Sequence, residues 1–210
     1  MSLGLKDAAK NFMQGQLRDL ISAMSTDKHR SGLERAAIIK AFQEMSDELG
    51  RRGIKGELCL FGGAVMVLAF AARVSTKDVD AVFQPTHPMR EIVRHVGETN
   101  DFPENWLNDA AKSFVSVRHE TVMGNLPQFP NLRLTMPTPE YLLAMKCMAS
   151  RVGMVETEAD DVSDIIFLIR HLHLNNAQVV LSLIADYYPA SRVPVKAQYL
   201  VESLFAEGKI

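Results

Sequence analysis

A short apolar run that stops at two consecutive glycines is the feature that most restricts the fold of this chain. Residues 57–61 read ELCLF, Gly62 and Gly63 follow, and the next segment is AVMVLAFAA. This order predicts a strand, a tight turn and a buried helix, because glycine adopts backbone conformations that other residues avoid. A second short strand is predicted at 79–83, so the segment should form a strand–turn–helix–strand unit.

Composition places the chain among globular proteins. It has 210 residues, of which 47% are hydrophobic and 23% are charged, and these values exclude collagen-like, disordered and coiled-coil classes. The formal net charge of −2 gives no overall attraction to nucleic acid or to an acidic membrane. The longest apolar run, 64–72, is about half of the roughly 20 residues that span a bilayer. With no signal peptide in the sequence, we expect a cytoplasmic protein with no membrane partner.

Three regions are expected along the chain: an N-terminal helical extension at 1–30, an α/β domain at 31–137 and a helical domain at 138–210. The second region should begin with an amphipathic helix that Ser31 caps and that ends at Gly50–Gly53. The third should begin at Thr138, a capping residue followed by proline. Between these points we predict further elements, namely a helix at 88–97, a short helix at 106–114 and strands at 114–122 and 132–136.

Two carboxylates at the start of the second strand are the candidates for metal binding. Asp78 and Asp80 are two residues apart, so both project from one face of the strand with Cα atoms ~7 Å apart. Carboxylates this close repel each other, and Mg²⁺ bound together with substrate phosphates would relieve the repulsion. The backbone N–H groups of Gly62 and Gly63, at the start of a helix, would face the phosphates.

The order apolar-Gly-Gly, helix, Asp-apolar-Asp resembles the signature of the DNA polymerase β-like nucleotidyltransferase superfamily. Arg73, Ser75 and Thr76 precede the aspartates in the arrangement Arg-x-Ser/Thr-x-x-Asp-x-Asp, which is similar to a form found in nucleotidyltransferase-like toxins. Fourteen residues separate Gly63 from Asp78, a long gap for this signature, and we attribute it to a slightly longer helix. The resemblance implies an α/β nucleotidyltransferase fold, a short mixed sheet flanked by helices, followed by a C-terminal helical bundle.

Across 57–207 the chain also resembles uncharacterised nucleotidyltransferase families related to the AbiEii-type toxins. The similar segments are 106–109, 139–146, 161–165 and 187–189. The resemblance implies site roles for Lys146 and Asp161, and a lesser one for Asp164. Helical spacing places Lys146 at the border of an apolar stripe, from which its head can reach a phosphate or Asp161. The same spacing predicts that Asp160 and Asp164 lie on the opposite side of their helix from the apolar stripe.

The resemblance implies transfer of a nucleoside monophosphate from an NTP to an acceptor hydroxyl on tRNA or a protein. It further implies a toxin that has a cognate antitoxin as partner. Asp78 and Asp80 would hold the Mg²⁺ cofactor, the two glycines would seat the β- and γ-phosphates, and Arg73 and Lys146 would add positive charge, with Ser75, Thr76 and Asp161 also contacting nucleotide. The third carboxylate of the superfamily is missing from 132–136, and Glu120 and Asp109 are the nearest substitutes.

Two alternatives remain open. One is a small-molecule nucleotidyltransferase that modifies an antibiotic, and the other is a nucleotide-binding relative without catalytic activity. An acidic pocket would favour a cationic antibiotic as acceptor. A basic groove would favour tRNA, and the residues that could form it are Arg51, Arg52, Lys55, Arg73 and Arg118.

Overall fold

A five-stranded mixed sheet positions the residues singled out above. The computed structural model describes residues 32–109, 112–113, 115–150 and 158–210. In these ranges the strands are β1 (Leu33–Glu34), β2 (Gly56–Leu60), β3 (Ser75–Thr76), β4 (Val79–Gln84), β5 (Leu107–Asn108), β6 (Thr121–Val122) and β7 (Leu132–Pro137). The five-stranded sheet has the order β5-β4-β2-β7-β6, and β1 and β3 form a separate antiparallel pair.

Helices cover the sheet and then make up the C-terminal region. They are α1 (Arg35–Arg51), α2 (Gly62–Leu68), α3 (Thr86–Thr99), α4 (Pro139–Ala149), α5 (Glu158–His171), α6 (Ala177–Tyr187) and α7 (Val195–Ala206), with a 3₁₀ turn at Ala190–Arg192 before the last. The fold is thus mixed α/β followed by a helical region, α4–α7. Residues Leu33–Ile210 form one compact unit. None of the helices in the described ranges combines the length and the apolar character that crossing a bilayer requires.

The directions of the strands bring several element ends to one edge of the sheet. β2 is antiparallel to β4, and Leu60 at its end pairs with Ala81 near the start of β4. β2 is parallel to β7, so the end of β7 and the start of α4 lie at this same edge. β5 is parallel to β4, with Asp80 opposite Asn108. The diglycine turn, the aspartate pair, β5 and α4 therefore converge.

The buried side chains of β2 and α1 recur at the spacings expected for a strand and an amphipathic helix. In β2 the side chains of Leu58 and Leu60 are buried, whereas Glu57 between the buried positions is exposed. Helix α1 buries Ile38, Phe42, Met45 and Leu49 on one face. Thr138 caps α4, because its side chain accepts a hydrogen bond from the backbone N–H of Tyr141. The strand and helix predictions for β2, α2, β4, α3, β7 and the C-terminal helices are confirmed as elements.

The start of α1 and the length of α2 differ from the predictions. Leu33–Glu34 is a strand paired with Ser75–Thr76, so α1 begins at Arg35. The predicted cap Ser31 and the N-terminal extension lie outside the described residues. Helix α2 ends at Leu68, so the long gap before Asp78 is not a longer helix. It contains a loop and β3, because the β1 partner offers backbone hydrogen bonds to that segment.

The segment at 106–114 was predicted to be helical, and this is wrong for its first residues. Leu107–Asn108 is a strand, because the edge of β4 is free to pair with it and the Val79 N–H donates to the Trp106 carbonyl at 2.6 Å. Trp106 is buried, and its indole N–H donates to the Val93 carbonyl. Residues 110, 111 and 114 lie outside the described part. The strand predicted at 114–122 is reduced to Thr121–Val122.

Candidate functional site

Gly62 lies directly against Asp80. Its φ of +58° is a left-handed conformation that favours glycine, and a Cβ built there would lie 2.8 Å from Oδ2 of Asp80. The preceding Phe61 N–H donates to the Asp80 carbonyl at 2.8 Å. The diglycine turn after β2 and Asp80 on β4 are therefore in direct contact.

Gly63 is in contact with the segment that precedes the aspartates. A Cβ built on Gly63 would meet the hydroxyl of Thr76 and lie 3.7 Å from Nη1 of Arg73. Thr76 is buried, and Ser75 beside it on β3 pairs with Glu34. Arg73 and Thr76 thus support the second glycine, while Ser75 belongs to the small β1–β3 sheet.

The aspartate pair is bridged by an amide that sequence reasoning missed. Asn108 of β5 donates from Nδ2 to Oδ2 of Asp78 at 2.9 Å, and it pairs in register with Asp80, whose pKa its side chain acts to lower. The helix predicted at 106–114 does not place Asn108 beside Asp80, so the sequence pattern did not indicate this residue. Had Leu107–Asn108 been read as a strand beside β4, the polar side chain would have been placed next to Asp80.

The surroundings of Asp80 shift the pKa of its carboxyl. Burial raises its pKa above the ordinary value, and the neighbouring Asp78 carboxylate raises it further. The Lys146 cation acts in the opposite direction, and Asp161 adds a further increase. Lys146 and Asp161 are therefore close enough to Asp80 for their charges to influence it.

Lys146 on α4 and Asp161 on α5 meet as predicted. Nζ of Lys146 lies 3.0 Å from Oδ1 of Asp161 and 2.7 Å from Oδ2 of Asp164. Lys146 is buried, with 8% of its surface exposed, so its head is held between these two carboxylates. In this arrangement the lysine is a counter-charge for two carboxylates of α5, and its charge also acts on Asp80.

The predicted position of Asp164 is wrong. Instead of lying on an outer face, its carboxylate is 2% exposed and accepts two hydrogen bonds of 2.6 Å from Nε and Nη2 of Arg73. Asp160, 65% exposed, accepts a longer bond of 3.3 Å from Nη1. The apolar-stripe criterion fails here because a carboxylate can be buried when two cations, Arg73 and Lys146, compensate its charge.

The charged side chains described at this end of the sheet include five carboxylates and two cations. Contacts join the two cations to three carboxylates of α5, and the other two carboxylates are the aspartate pair. The carboxylates are Asp78, Asp80, Asp160, Asp161 and Asp164, and the cations are Arg73 and Lys146. The excess of negative charge makes this end of the sheet favourable for a cation. It does not match the basic groove expected for tRNA.

Of the five residues expected for that groove, Arg73 lies at the site and the other four lie elsewhere. Arg51 and Arg52 end α1 and bind Glu48, and Lys55 donates to the Pro130 carbonyl and to Asn131. These positions precede β2, whereas the diglycine follows it, and a strand of five residues separates them by ~16 Å. Arg118 pairs with the exposed Glu120.

The two substitutes for the missing third carboxylate are both engaged elsewhere. Asp109 binds Lys112, whose hydrogen bond is the main cause that lowers the pKa of its carboxyl, and Glu120 pairs with Arg118 at 3.6 Å. Within the described ranges, no group of three His, Cys, Asp or Glu side chains could hold a metal ion. Asp78 and Asp80 fit Mg²⁺ all the same, since this ion is commonly bound by one or two carboxylates together with substrate phosphates and water.

The chain was compared with protein-family models, with curated proteins and with solved structures, and none of them matches it. The chemistry of the site follows from its own residues. It combines a carboxylate pair, an adjacent glycine backbone at the start of a helix, and a charged cluster that joins the sheet to the C-terminal helices.

Proposed function

We propose that this chain is a magnesium-dependent nucleotidyltransferase, which transfers a nucleoside monophosphate from an NTP to an acceptor hydroxyl. The observation that carries the proposal is the contact between Asp80 and the backbone of Gly62. It puts a carboxylate suited to Mg²⁺ within one side-chain length of a turn that has no side chain of its own. A cation-bound triphosphate needs both features on the same side of one cleft.

In the proposed reaction the acceptor oxygen forms a bond to the α-phosphorus, and the bond from that phosphorus to the pyrophosphate oxygen breaks. The hydroxyl proton passes to water, and pyrophosphate leaves. When bound by Asp78 and Asp80, Mg²⁺ would neutralise charge on the phosphate oxygens. Gly62 and Gly63 would allow the phosphates to approach the backbone closely.

Arg73 and Lys146 act as positioning residues in this proposal. Both form ion pairs with carboxylates of α5, so their charges are already compensated before a phosphate binds. Arg73 lies next to Gly63, and the charge of Lys146 partly offsets the rise in the pKa of Asp80. They would keep the turn and the aspartate in the arrangement that a metal-bound nucleotide requires.

The family resemblance suggests tRNA or a protein hydroxyl as the acceptor, and a toxin controlled by an antitoxin. The negative charge around the cleft supports a cationic small molecule as a further acceptor class. A second candidate function is nucleotide binding without transfer. It is favoured by the lack of a third metal-binding carboxylate, since β7 beside β2 carries none and no group of three His, Cys, Asp or Glu side chains in the described ranges could hold a metal ion.

Labelling with each of four α-³²P NTPs tests the proposal directly. The full chain is incubated with Mg²⁺ and, separately, with total RNA, with lysate protein and with cationic aminoglycosides. Label transferred to one of these acceptors, and lost in Asp80→Asn, would support transfer and identify the acceptor class. Glu57→Gln serves as the control, because Glu57 is an exposed carboxylate on β2 away from the cleft.

Calorimetry separates the two candidate functions. Binding of NTP with Mg²⁺, together with no label on any acceptor and no pyrophosphate release, would favour the binding protein. Absence of Mg²⁺-dependent NTP binding by the wild-type chain would contradict both.

A further inference from the structure

We propose that Asn108 is a positioning residue that holds the Asp78 and Asp80 side chains together before a cation binds. This inference rests on the proposed function, since it concerns the same carboxylate pair. Its basis is the pairing of β5 with β4, which sets Asn108 beside Asp80, and the hydrogen bond of 2.9 Å from Nδ2 to Oδ2 of Asp78.

The chemistry of an amide suits this position. An asparagine side chain carries two N–H donors, and here the side chain reaches both carboxylates of the pair. The hydrogen bond to Asp78 satisfies an oxygen of a half-buried carboxylate, yet the amide brings no charge. An amide at this position therefore orients the carboxylates without supplying a positive charge that would compete with a cation.

The other residue types would each change this balance. A lysine or arginine at 108 would neutralise the carboxylates and compete with a cation, and an apolar residue would leave two half-buried carboxylates repelling each other without a donor. An aspartate would add a third carboxylate next to Asp80, which would worsen the repulsion in the metal-free protein and strengthen cation binding. An asparagine at 108 thus supplies a hydrogen bond to the metal-free pair and leaves the pair free to bind a cation.

Two variants test the inference in opposite directions, with Mn²⁺ as the probe and electron paramagnetic resonance as the readout. Asn108→Leu should weaken Mn²⁺ binding by about 10- to 100-fold, the range found when a partner of a metal ligand is removed. Asn108→Asp should tighten Mn²⁺ binding and lower the Tm of the metal-free protein. Asn125→Asp adds the same charge at an exposed asparagine and should change neither quantity.

Stability without metal provides a readout that does not depend on the proposed function. Asn108→Leu should lower the Tm of the metal-free chain by about 3 °C or more, and this loss should be much smaller in an Asp78→Asn/Asp80→Asn background. Equal losses in the two backgrounds would overturn the role of Asn108, as would unchanged Mn²⁺ affinity in Asn108→Leu where wild type binds at the pair. Wild-type protein that does not bind Mn²⁺, with the Tm coupling still present, would overturn the proposed function and leave Asn108 as the residue that holds the pair.

Discussion

The guanidinium of Arg73 donates two hydrogen bonds of 2.6 Å to the carboxylate of Asp164, one from Nε and one from Nη2. Arg73 lies in the loop after the diglycine helix α2, and Asp164 lies on α5, so this pair links the α/β part of the fold to the C-terminal helices. Lys146 binds the same carboxylate from α4. Arg73, Lys146 and Asp164 thus form an ion-pair cluster, and removing its carboxylate should lower the free energy of unfolding.

We predict that Asp164→Asn lowers the free energy of unfolding by about 3 kcal/mol, because two poorly solvated cations lose their shared counter-charge. Asp160→Asn is the matched control, since Asp160 binds the same arginine but its side chain is 65% exposed. That control should cost less than about 1 kcal/mol, as exposed ion pairs do. Urea denaturation followed by circular dichroism measures the free energy of unfolding of both variants. Similar losses in the two variants would show that the ion-pair cluster does not stabilise the fold.

The contrast between Asp164 and Gly62 shows which parts of the site could be predicted. Gly62 and Asp80 were brought together correctly, because an apolar strand, a diglycine turn and a second strand are local signals that leave little choice of topology. The position of Asp164 depends on where Arg73 and Lys146 lie, and neither of those residues belongs to α5. A helical wheel contains no information about partners on other elements.

Asn108 was missed for a related reason. Two residues form β5, and so short a strand has no periodicity of its own. Its conformation is determined by the open edge of β4, with which Leu107 and Asn108 pair. The length of α2 was mispredicted in the same way, since the pairing of β1 with Ser75–Thr76 is a tertiary contact. Elements with strong local patterns were predictable, and elements that exist only through a neighbour were not.

Lys146→Met keeps the apolar stem and removes the charge. We expect it to weaken Mg²⁺-dependent NTP binding by about 2 kcal/mol, the scale of a hydrogen bond to a charged group, because the variant loses its hydrogen bond to Asp161 near Asp80. The effect follows from the position of Lys146, which lowers the pKa of Asp80 and pairs with Asp161. Isothermal titration calorimetry at neutral pH measures the affinity. Lys112→Met removes an exposed lysine bound to Asp109 and should leave the affinity unchanged. An unchanged affinity in Lys146→Met would show that Lys146 has no role in NTP binding.

The raised pKa of Asp80 predicts a specific dependence of stability on pH. A carboxyl whose pKa is higher in the folded than in the unfolded chain stabilises the fold in its protonated form, and this contribution is lost as the pH rises through the folded-state pKa. In metal-free protein, Asp80→Asn should therefore become more stable than wild type as the pH increases above the ordinary carboxyl value of 3.8. Below that value the two proteins should differ little.

Thermal melts over a series of pH values, with and without Mg²⁺, check this prediction. Mg²⁺ should raise the Tm of wild type at neutral pH and have no effect on Asp80→Asn, because the variant lacks one of the two ligands. A constant difference in Tm between the two proteins across the pH series would mean that Asp80 titrates normally in the fold.

Gly62→Ala separates backbone strain from contact with Asp80. Gly53 has a φ of +66° with nothing within 4 Å of a built Cβ, whereas Gly62 has a φ of +58° and a built Cβ would lie 2.8 Å from Oδ2 of Asp80. Alanine in a left-handed conformation costs about 1–2 kcal/mol at either position. The additional contact at residue 62 should make Gly62→Ala the more destabilising variant and should displace the Asp80 carboxylate.

Two measurements check this prediction. Urea denaturation should give a larger loss for Gly62→Ala than for Gly53→Ala, and most of the excess should disappear in an Asp80→Ala background, where the clashing oxygen is absent. Mn²⁺ binding should weaken in Gly62→Ala and stay at the wild-type level in Gly53→Ala, because only the first substitution reaches the carboxylate pair. Equal behaviour of the two alanine variants in both measurements would show that the proximity of Gly62 to Asp80 has no energetic consequence.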